Sequence, residues 1–183
     1  MRMKAILLMS AGLLSFSARA ALYVQVNGFV AAAGVPFGPW SEVQEGDPAS
    51  MIFAVPEQGD VLDPDHLDGY PILTETFAMV IDDLAVGLGN SPVPPSVFVS
   101  DDFPIADAFV MSPDTIPLSE FGYGLLFELH DSTGTAWSSP ALTCIPGTYS
   151  ADSFDDREWF VFVAGGGGIE LEVTELIVYP VAD

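Results

Sequence analysis

Basic side chains are scarce in this 183-residue sequence, which has 4 Lys and Arg against 26 Asp and Glu. Arg2, Lys4 and Arg19 lie within residues 1–20, so Arg157 is the one basic residue in the rest of the chain. A surface this acidic repels phosphate backbones and anionic lipid, and it attracts cations and basic partners. The charge balance therefore predicts that the protein does not bind nucleic acid.

Cysteine and histidine are also scarce, and this limits the chemistry available. Cys144 is the only cysteine, so no disulfide can form within the chain, and two isolated histidines offer no spacing suited to zinc. The contiguous His130-Asp131-Ser132 is not evidence for a catalytic triad, because a triad is assembled across a fold. A strand end followed by a turn explains these residues better. The sequence favours a protein that is not an enzyme and leaves catalysis open.

The first twenty residues have the three regions of an export signal in order. Arg2 and Lys4 precede an apolar run over residues 5–16, and Ala18-Arg19-Ala20 supplies the small residues of a cleavage site. The run is shorter than the roughly 20 residues that a membrane-spanning helix needs. We predict a signal peptide over residues 1–20 and a secreted or periplasmic mature chain, 21–183, without a transmembrane anchor.

Long amphipathic helical patterns are absent, and short alternating segments replace them. Two segments, 75–88 and 158–179, predict β-hairpins: Asp82-Asp83 turns the first, and a run of four glycines turns the second. In the second hairpin, Ile169, Leu171 and Val173 share one face of the return strand. About eight such strands predict an all-β fold, a single antiparallel β-sandwich or jelly-roll-like domain over residues 21–183.

The acidic stretch DVLDPDHLDGY, residues 60–70, is the strongest candidate for a site. Ca²⁺ takes six to eight oxygen ligands, and several carboxylates here could supply them. The stretch is not an EF-hand, because Gly69 comes one position late when Asp63 is placed first. Asp82, Asp83 or Asp101-Asp102 would contribute if they fold nearby. The alternative is a solvated acidic loop, since Asp-Pro and Asp-Gly steps are good turns. The candidate calcium ligands are Asp60, Asp63, Asp65 and Asp68.

Three tryptophans raise a carbohydrate hypothesis. Trp40, Trp137 and Trp159 could offer faces on which sugar rings stack, beside an acidic pair of the kind glycosidases use. In a sandwich of this size a tryptophan is more often part of the core. The hypothesis predicts that Trp40 or Trp137 lies exposed beside a groove.

The order of segments resembles the secreted β-rich domains of bacterial PEP-CTERM proteins, the substrates of the exosortase sorting system. The shared features are Gly46-Asp47 before a strand, an acidic loop ending in Gly69-Tyr70, the turn at residues 81–83, and the segment 131–139 before a last hairpin. The likeness covers roughly residues 24–178. The sequence ends in YPVAD without the family's sorting tail, so the resemblance implies an unanchored secreted or periplasmic relative.

Together these features predict an exported, non-catalytic β-sandwich module for cell-surface or extracellular-matrix interaction, with Ca²⁺ as a candidate stabiliser. Its expected partners are cations, polysaccharide or basic surface partners. The alternative is a small secreted carbohydrate-binding or carbohydrate-active protein on a jelly roll.

Overall fold

The computed structural model describes residues 21–35, 38–63, 66–90, 95–102, 106–111, 118, 122–163 and 166–180. The predicted signal peptide, residues 1–20, therefore lies outside the described residues and stays a prediction.

The described part of the chain is almost entirely β, with 64% of its residues in strands and 7% in helical turns. The prediction of an all-β antiparallel fold is confirmed. Short 3₁₀ helices cover Pro39–Glu42, Leu142–Cys144 and Ala151–Ser153. The strands among the described residues are β1 (Ala21–Ala33), β2 (Pro48–Pro56), β3 (Asp60–Asp63), β4 (Leu67–Pro71), β5 (Leu73–Ile81), β6 (Leu84–Val86), β7 (Ser96–Ser100), β8 (Asp107–Met111), β9 (Gly122–Asp131), β10 (Gly147–Ser150), β11 (Asp156–Val163) and β12 (Gly168–Pro180).

All of these strands belong to one hydrogen-bonded sheet that curls into a half-barrel. Its order is β3-β4-β7-β8-β9-β11-β12-β1-β2-β5-β6, and β10 pairs with β12 beside this path. The predicted sandwich layout is thus refined, because the hydrogen bonding runs without a break from β3 to β6. Side chains on the inner face of the curl form one core cluster to which strands from the whole sheet contribute.

Both predicted hairpins are present. β5 and β6 pair through a two-residue turn in which Asp82 has a φ of 52°, a left-handed conformation that aspartate tolerates better than most residues. β11 and β12 pair through the glycine turn, where Gly166 and Gly167 have φ values near 100°. The return strand β12 buries Ile169, Leu171 and Val173 as predicted.

A β-bulge on β12 then shifts the inward positions of that strand. Asn27 of β1 pairs with Glu175 and Gly28 pairs with Val173, so Thr174 is the extra residue. Beyond it the buried positions are Leu176 and Val178, which have the opposite parity from Val173. The bulge keeps both halves of a 13-residue strand facing the core.

Residues 60–70 are mostly a β-hairpin, so the expectation of a loop there is wrong. β3 and β4 pair with each other, and β4 pairs on its other side with β7. The loop prediction failed because Asp68 occupies an inward position, where it breaks the apolar alternation that marks a strand. Its carboxylate is buried and accepts a hydrogen bond from the Tyr70 hydroxyl at 3.2 Å.

Candidate metal centre

Three neighbouring strands place acidic residues at one end of the sheet. Asp101 and Asp102 directly follow β7, Asp107 begins β8, and Asp131 ends β9 opposite Asp107. Because β7, β8 and β9 are antiparallel neighbours, the end of one strand lies beside the start of the next. We call Asp101, Asp102 and Asp107 the acidic corner.

Asp107 is the buried member of the acidic corner, with no exposed surface. Its Oδ1 accepts a hydrogen bond from the backbone N–H of Asp102 at 3.1 Å. Its Oδ2 accepts one from the backbone N–H of Trp137 at 3.0 Å. A buried carboxylate is tolerated only when such donors compensate for lost hydration. Asp107 thus joins the segment after β7 to the turn after β9.

Asp102 sits tightly against the turn that follows β9. Its backbone is left-handed, with a φ of 55°, and its carboxylate lies over Gly134. A Cβ on Gly134 would be 2.0 Å from Asp102 Oδ1, and Gly134 itself has a φ of 64°. Glycine is therefore required at this position on two grounds, space and backbone conformation.

Asp101 connects the acidic corner to the hairpin predicted as a cation site. Its backbone N–H donates to the His66 carbonyl at 3.0 Å, and its own carbonyl lies 3.1 Å from His66 Nδ1. The condition set for Asp101-Asp102, that they fold near this stretch, is therefore met through Asp101.

Carboxylate oxygens of the acidic corner all lie within 4.8 Å of one another. Partial burial raises the pKa of Asp101, and the negative charges of Asp107 and Asp102 raise it further. Three hard oxygen donors at this spacing fit the ligand chemistry of Ca²⁺. A bound divalent cation would offset the repulsion that raises this pKa. Asp101 and Asp102 are the more accessible members and could turn an oxygen toward an ion.

Asp131 organises the adjoining turn. Its Oδ1 accepts from the backbone N–H and hydroxyl of Thr133, and its Oδ2 from the backbone N–H groups of Thr135 and Ala136 at 2.8 Å. Burial alone would raise the pKa of Asp131, but the hydrogen bonds from Thr133 and Thr135 outweigh it and lower the pKa to about 2. Because its oxygens accept hydrogen bonds from the turn, Asp131 holds the turn in place beside Asp107 and is not counted among the cation ligands.

Two buried aromatic side chains join the segment after β9 to other strands of the sheet. Trp137 Nε1 donates to the Ser100 carbonyl at 2.6 Å, which secures the last residue of β7. The Tyr70 hydroxyl accepts from the backbone N–H of Leu142 at 3.0 Å while it donates to Asp68. Burial is the main reason that the pKa of Tyr70 is raised to about 12.

Two of the four predicted calcium ligands, Asp60 and Asp68, do not converge. Asp60 pairs with Gly69 and is exposed, whereas Asp68 pairs with Val61 and is buried on the inner face. Since neighbouring residues of a strand point to opposite faces, Asp60 and Asp68 lie on opposite sides of the hairpin. Asp65 and the side chain of Asp63 lie outside the described residues, so their role stays a prediction.

Sequence reasoning missed Asp107. A signal was available in the period of β8, where Asp107 shares its parity with Phe109 and Met111 and all three are buried. A carboxylate that shares the inward parity of a strand must find donors inside the fold, and Asp107 finds one at Asp102 and one 30 residues away at Trp137.

The structure gives little support to the other candidate sites. His130 Nε2 lies 3.3 Å from Glu128, and Ser132 Oγ donates to Asp155, so these two side chains are directed away from a triad with Asp131. Trp40, Trp137 and Trp159 are all buried. The expectation that Trp40 or Trp137 would offer an exposed stacking face is therefore wrong.

Comparison with protein-family models, with curated proteins and with solved structures finds no match for this chain. Among the described residues, no helix combines the length and the apolar character needed to cross a bilayer.

Proposed function

We propose that the protein is an exported, non-catalytic β-rich module for cell-surface or extracellular-matrix interaction, stabilised by Ca²⁺ at the acidic corner. The observation that carries the calcium part is the convergence of Asp101, Asp102 and Asp107 within 4.8 Å. The export part rests on the sequence pattern of residues 1–20, and the surface role rests on the PEP-CTERM resemblance.

The surroundings of the acidic corner favour a structural cation over a catalytic one. The Asp107 carboxylate is fixed by hydrogen bonds from two backbone N–H groups, and the neighbouring Asp131 carboxylate is fixed by hydrogen bonds from its own turn. Carboxylates fixed in this way suit a structural ion, because holding an ion requires fixed oxygen atoms, whereas acid–base catalysis requires a carboxyl group that takes up and releases protons. The ion would join the end of β7 to the start of β8 and, through Asp102, to the turn after β9. The tryptophans that suggested the carbohydrate alternative are buried and offer no stacking face to a sugar ring.

The test is thermal unfolding of the purified protein with millimolar Ca²⁺ and with chelator at matched ionic strength. Free Ca²⁺ at 100 times Kd would add about 2.7 kcal/mol to the unfolding free energy, because the ligand binds only the folded state. For a domain of this size that corresponds to an increase in Tm of about 5 to 10 °C.

Matched variants locate the site. Asp101→Asn and Asp102→Asn should abolish the calcium shift, whereas Asp83→Asn in the exposed β5–β6 turn removes the same charge and should preserve it. Asp65→Asn tests whether the β3–β4 turn also contributes a ligand. A calcium shift that survives both Asp101→Asn and Asp102→Asn would refute the acidic corner as the binding site, and no shift in the wild type would refute calcium binding.

A further inference from the structure

A surface groove opens where β11 and β12 diverge, far along the sheet order from the β3–β4 hairpin. The two strands pair only between Phe160–Phe162 and Gly168–Glu170. Beyond that point β11 continues along β9, while β12 next pairs with β10 from Glu175. The groove has a volume of about 340 Å³.

The floor of the groove carries apolar side chains on the outer face of the sheet. Phe160 of β11 pairs with Leu126 of β9, and the ring centroids of Phe160 and Phe162 lie 4.6 Å apart. Phe162 remains 36% exposed. A Cβ on Gly168 would come within 2.2 Å of the Phe160 ring, so the glycine leaves the space in which that ring lies. The exposed ring of Phe162 and the partly buried ring of Phe160 together offer an apolar surface that a binding partner could cover.

The walls of the groove are acidic. Glu158, Glu170 and Glu172 line it together with Arg157. Arg157 Nη2 lies 3.5 Å from Glu172 Oε1, and its Nη1 donates to the Ala151 carbonyl. Arg157 is the only Lys or Arg of the described residues, so Glu158 and Glu170 have no lysine or arginine partner within that part of the chain.

We propose that this groove docks a cationic segment of another protein, one that presents an apolar side chain flanked by Lys or Arg. The apolar side chain would cover Phe160 and Phe162, and the basic ones would pair with Glu158 and Glu170. A second copy of this chain fits poorly, because a symmetric contact would place its acidic groove walls against the same acidic walls. The copy also carries 26 acidic residues, so its surface as a whole is repelled. This inference goes beyond the proposed function, since the groove is separate from the acidic corner and requires no metal.

The experiment measures binding of a fluorescein-labelled heptapeptide in which lysine alternates with phenylalanine and leucine. Fluorescence anisotropy with the full-length protein and with chelator present gives Kd at about 0.05 M and about 0.5 M NaCl, which span weak and strong screening. We expect Phe162→Ser to weaken binding about tenfold, which equals about 1.4 kcal/mol. The double variant Glu158→Gln with Glu170→Gln should weaken it about threefold to fivefold at low salt, as expected for exposed ion pairs.

Two matched controls separate the groove from general attraction to an acidic protein. Leu62→Ser removes an apolar side chain that is 54% exposed on the edge strand β3, and Glu75→Gln removes a charge from the surface of β5. Both should leave Kd unchanged, and thermal melts verify that every variant is folded. Equal binding of an all-lysine peptide, or an unchanged Kd for Phe162→Ser, would overturn the proposal. Wild-type dimerisation that Phe162→Ser abolishes would assign the groove to a second copy instead.

Discussion

The middle of the sheet and the end that carries the acidic corner are held together by different interactions. In the middle, β1 lies between β2 and β12, and Val24, Val26 and Met51 have no exposed surface. At the acidic end, the carboxylates of Asp107 and Asp131 accept hydrogen bonds from the backbone N–H groups of turns. Apolar burial is non-directional and insensitive to pH, whereas carboxylate hydrogen bonds depend on ionisation.

This difference indicates where the protein can respond to its surroundings. Protons and divalent cations act on ionised carboxylates, so both should change the stability of the acidic end and leave the middle of the sheet largely unaffected. The stability of the middle depends instead on space, because interiors are close-packed and leave no room for even one added methyl group.

The largest effect should come from filling space in the middle of the sheet. A Cβ on Gly28 would be 2.1 Å from the Glu172 carbonyl oxygen and 3.0 Å from the Trp159 ring. Since the nearer atom is backbone, we expect Gly28→Ala to lower the unfolding free energy by about 3 kcal/mol, measured by denaturant titration. Gly34→Ala is the matched control, because its nearest contact is 3.8 Å. Equal stability of the two variants would show that β12 can move away from β1.

A smaller effect is expected from removing the ionised carboxylate that supports the acidic corner. In Asp131→Asn, the amide NH₂ group would replace one carboxylate oxygen and would face backbone N–H groups that now donate to that oxygen. We expect a loss of about 2 kcal/mol in unfolding free energy. Asp155→Asn is the control: Asp155 is exposed, and its amide could still accept from the Ser132 N–H and donate to its hydroxyl.

The pH dependence provides a second measure of Asp131. Its folded pKa of about 2 lies below the ordinary value of 3.8, so its ionised form stabilises the fold at neutral pH. This contribution, about 2 kcal/mol, is present above pH 4 and is lost as the pH falls toward 2. Denaturant titrations across this range should show a flatter profile for Asp131→Asn. An unchanged profile would mean that other carboxylates govern acid unfolding.

The sequence was sufficient to predict what local patterns determine. The alternation of Ile169, Leu171 and Val173 and the turn at Asp82 led directly to two hairpins. The sequence did not predict the bulge at Thr174, because that depends on how Gly28 and its neighbours on β1 fit against β12.

The acidic corner was beyond local reasoning for a related reason. Its buried member, Asp107, is compensated by the N–H of Trp137, which is distant in sequence. The period of β8 marks Asp107 as an inward residue, but the donors that compensate it are set by tertiary structure and could not be located from the sequence. The hairpin at residues 60–70 was missed because Asp68 is buried against Tyr70 and not exposed.

The smallest predicted effect compares one tryptophan from each region. Trp137 Nε1 donates to the Ser100 carbonyl at the acidic end, whereas the buried Nε1 of Trp159 in β11 has no acceptor among the described residues. Both Trp→Phe substitutions lose volume, but only Trp137→Phe also leaves a carbonyl without its donor. We therefore expect Trp137→Phe to cost about 1 kcal/mol more unfolding free energy than Trp159→Phe, measured by denaturant titration. A larger cost for Trp159→Phe would show that packing outweighs this hydrogen bond, and the division between an apolar middle and a polar end would then be too sharp.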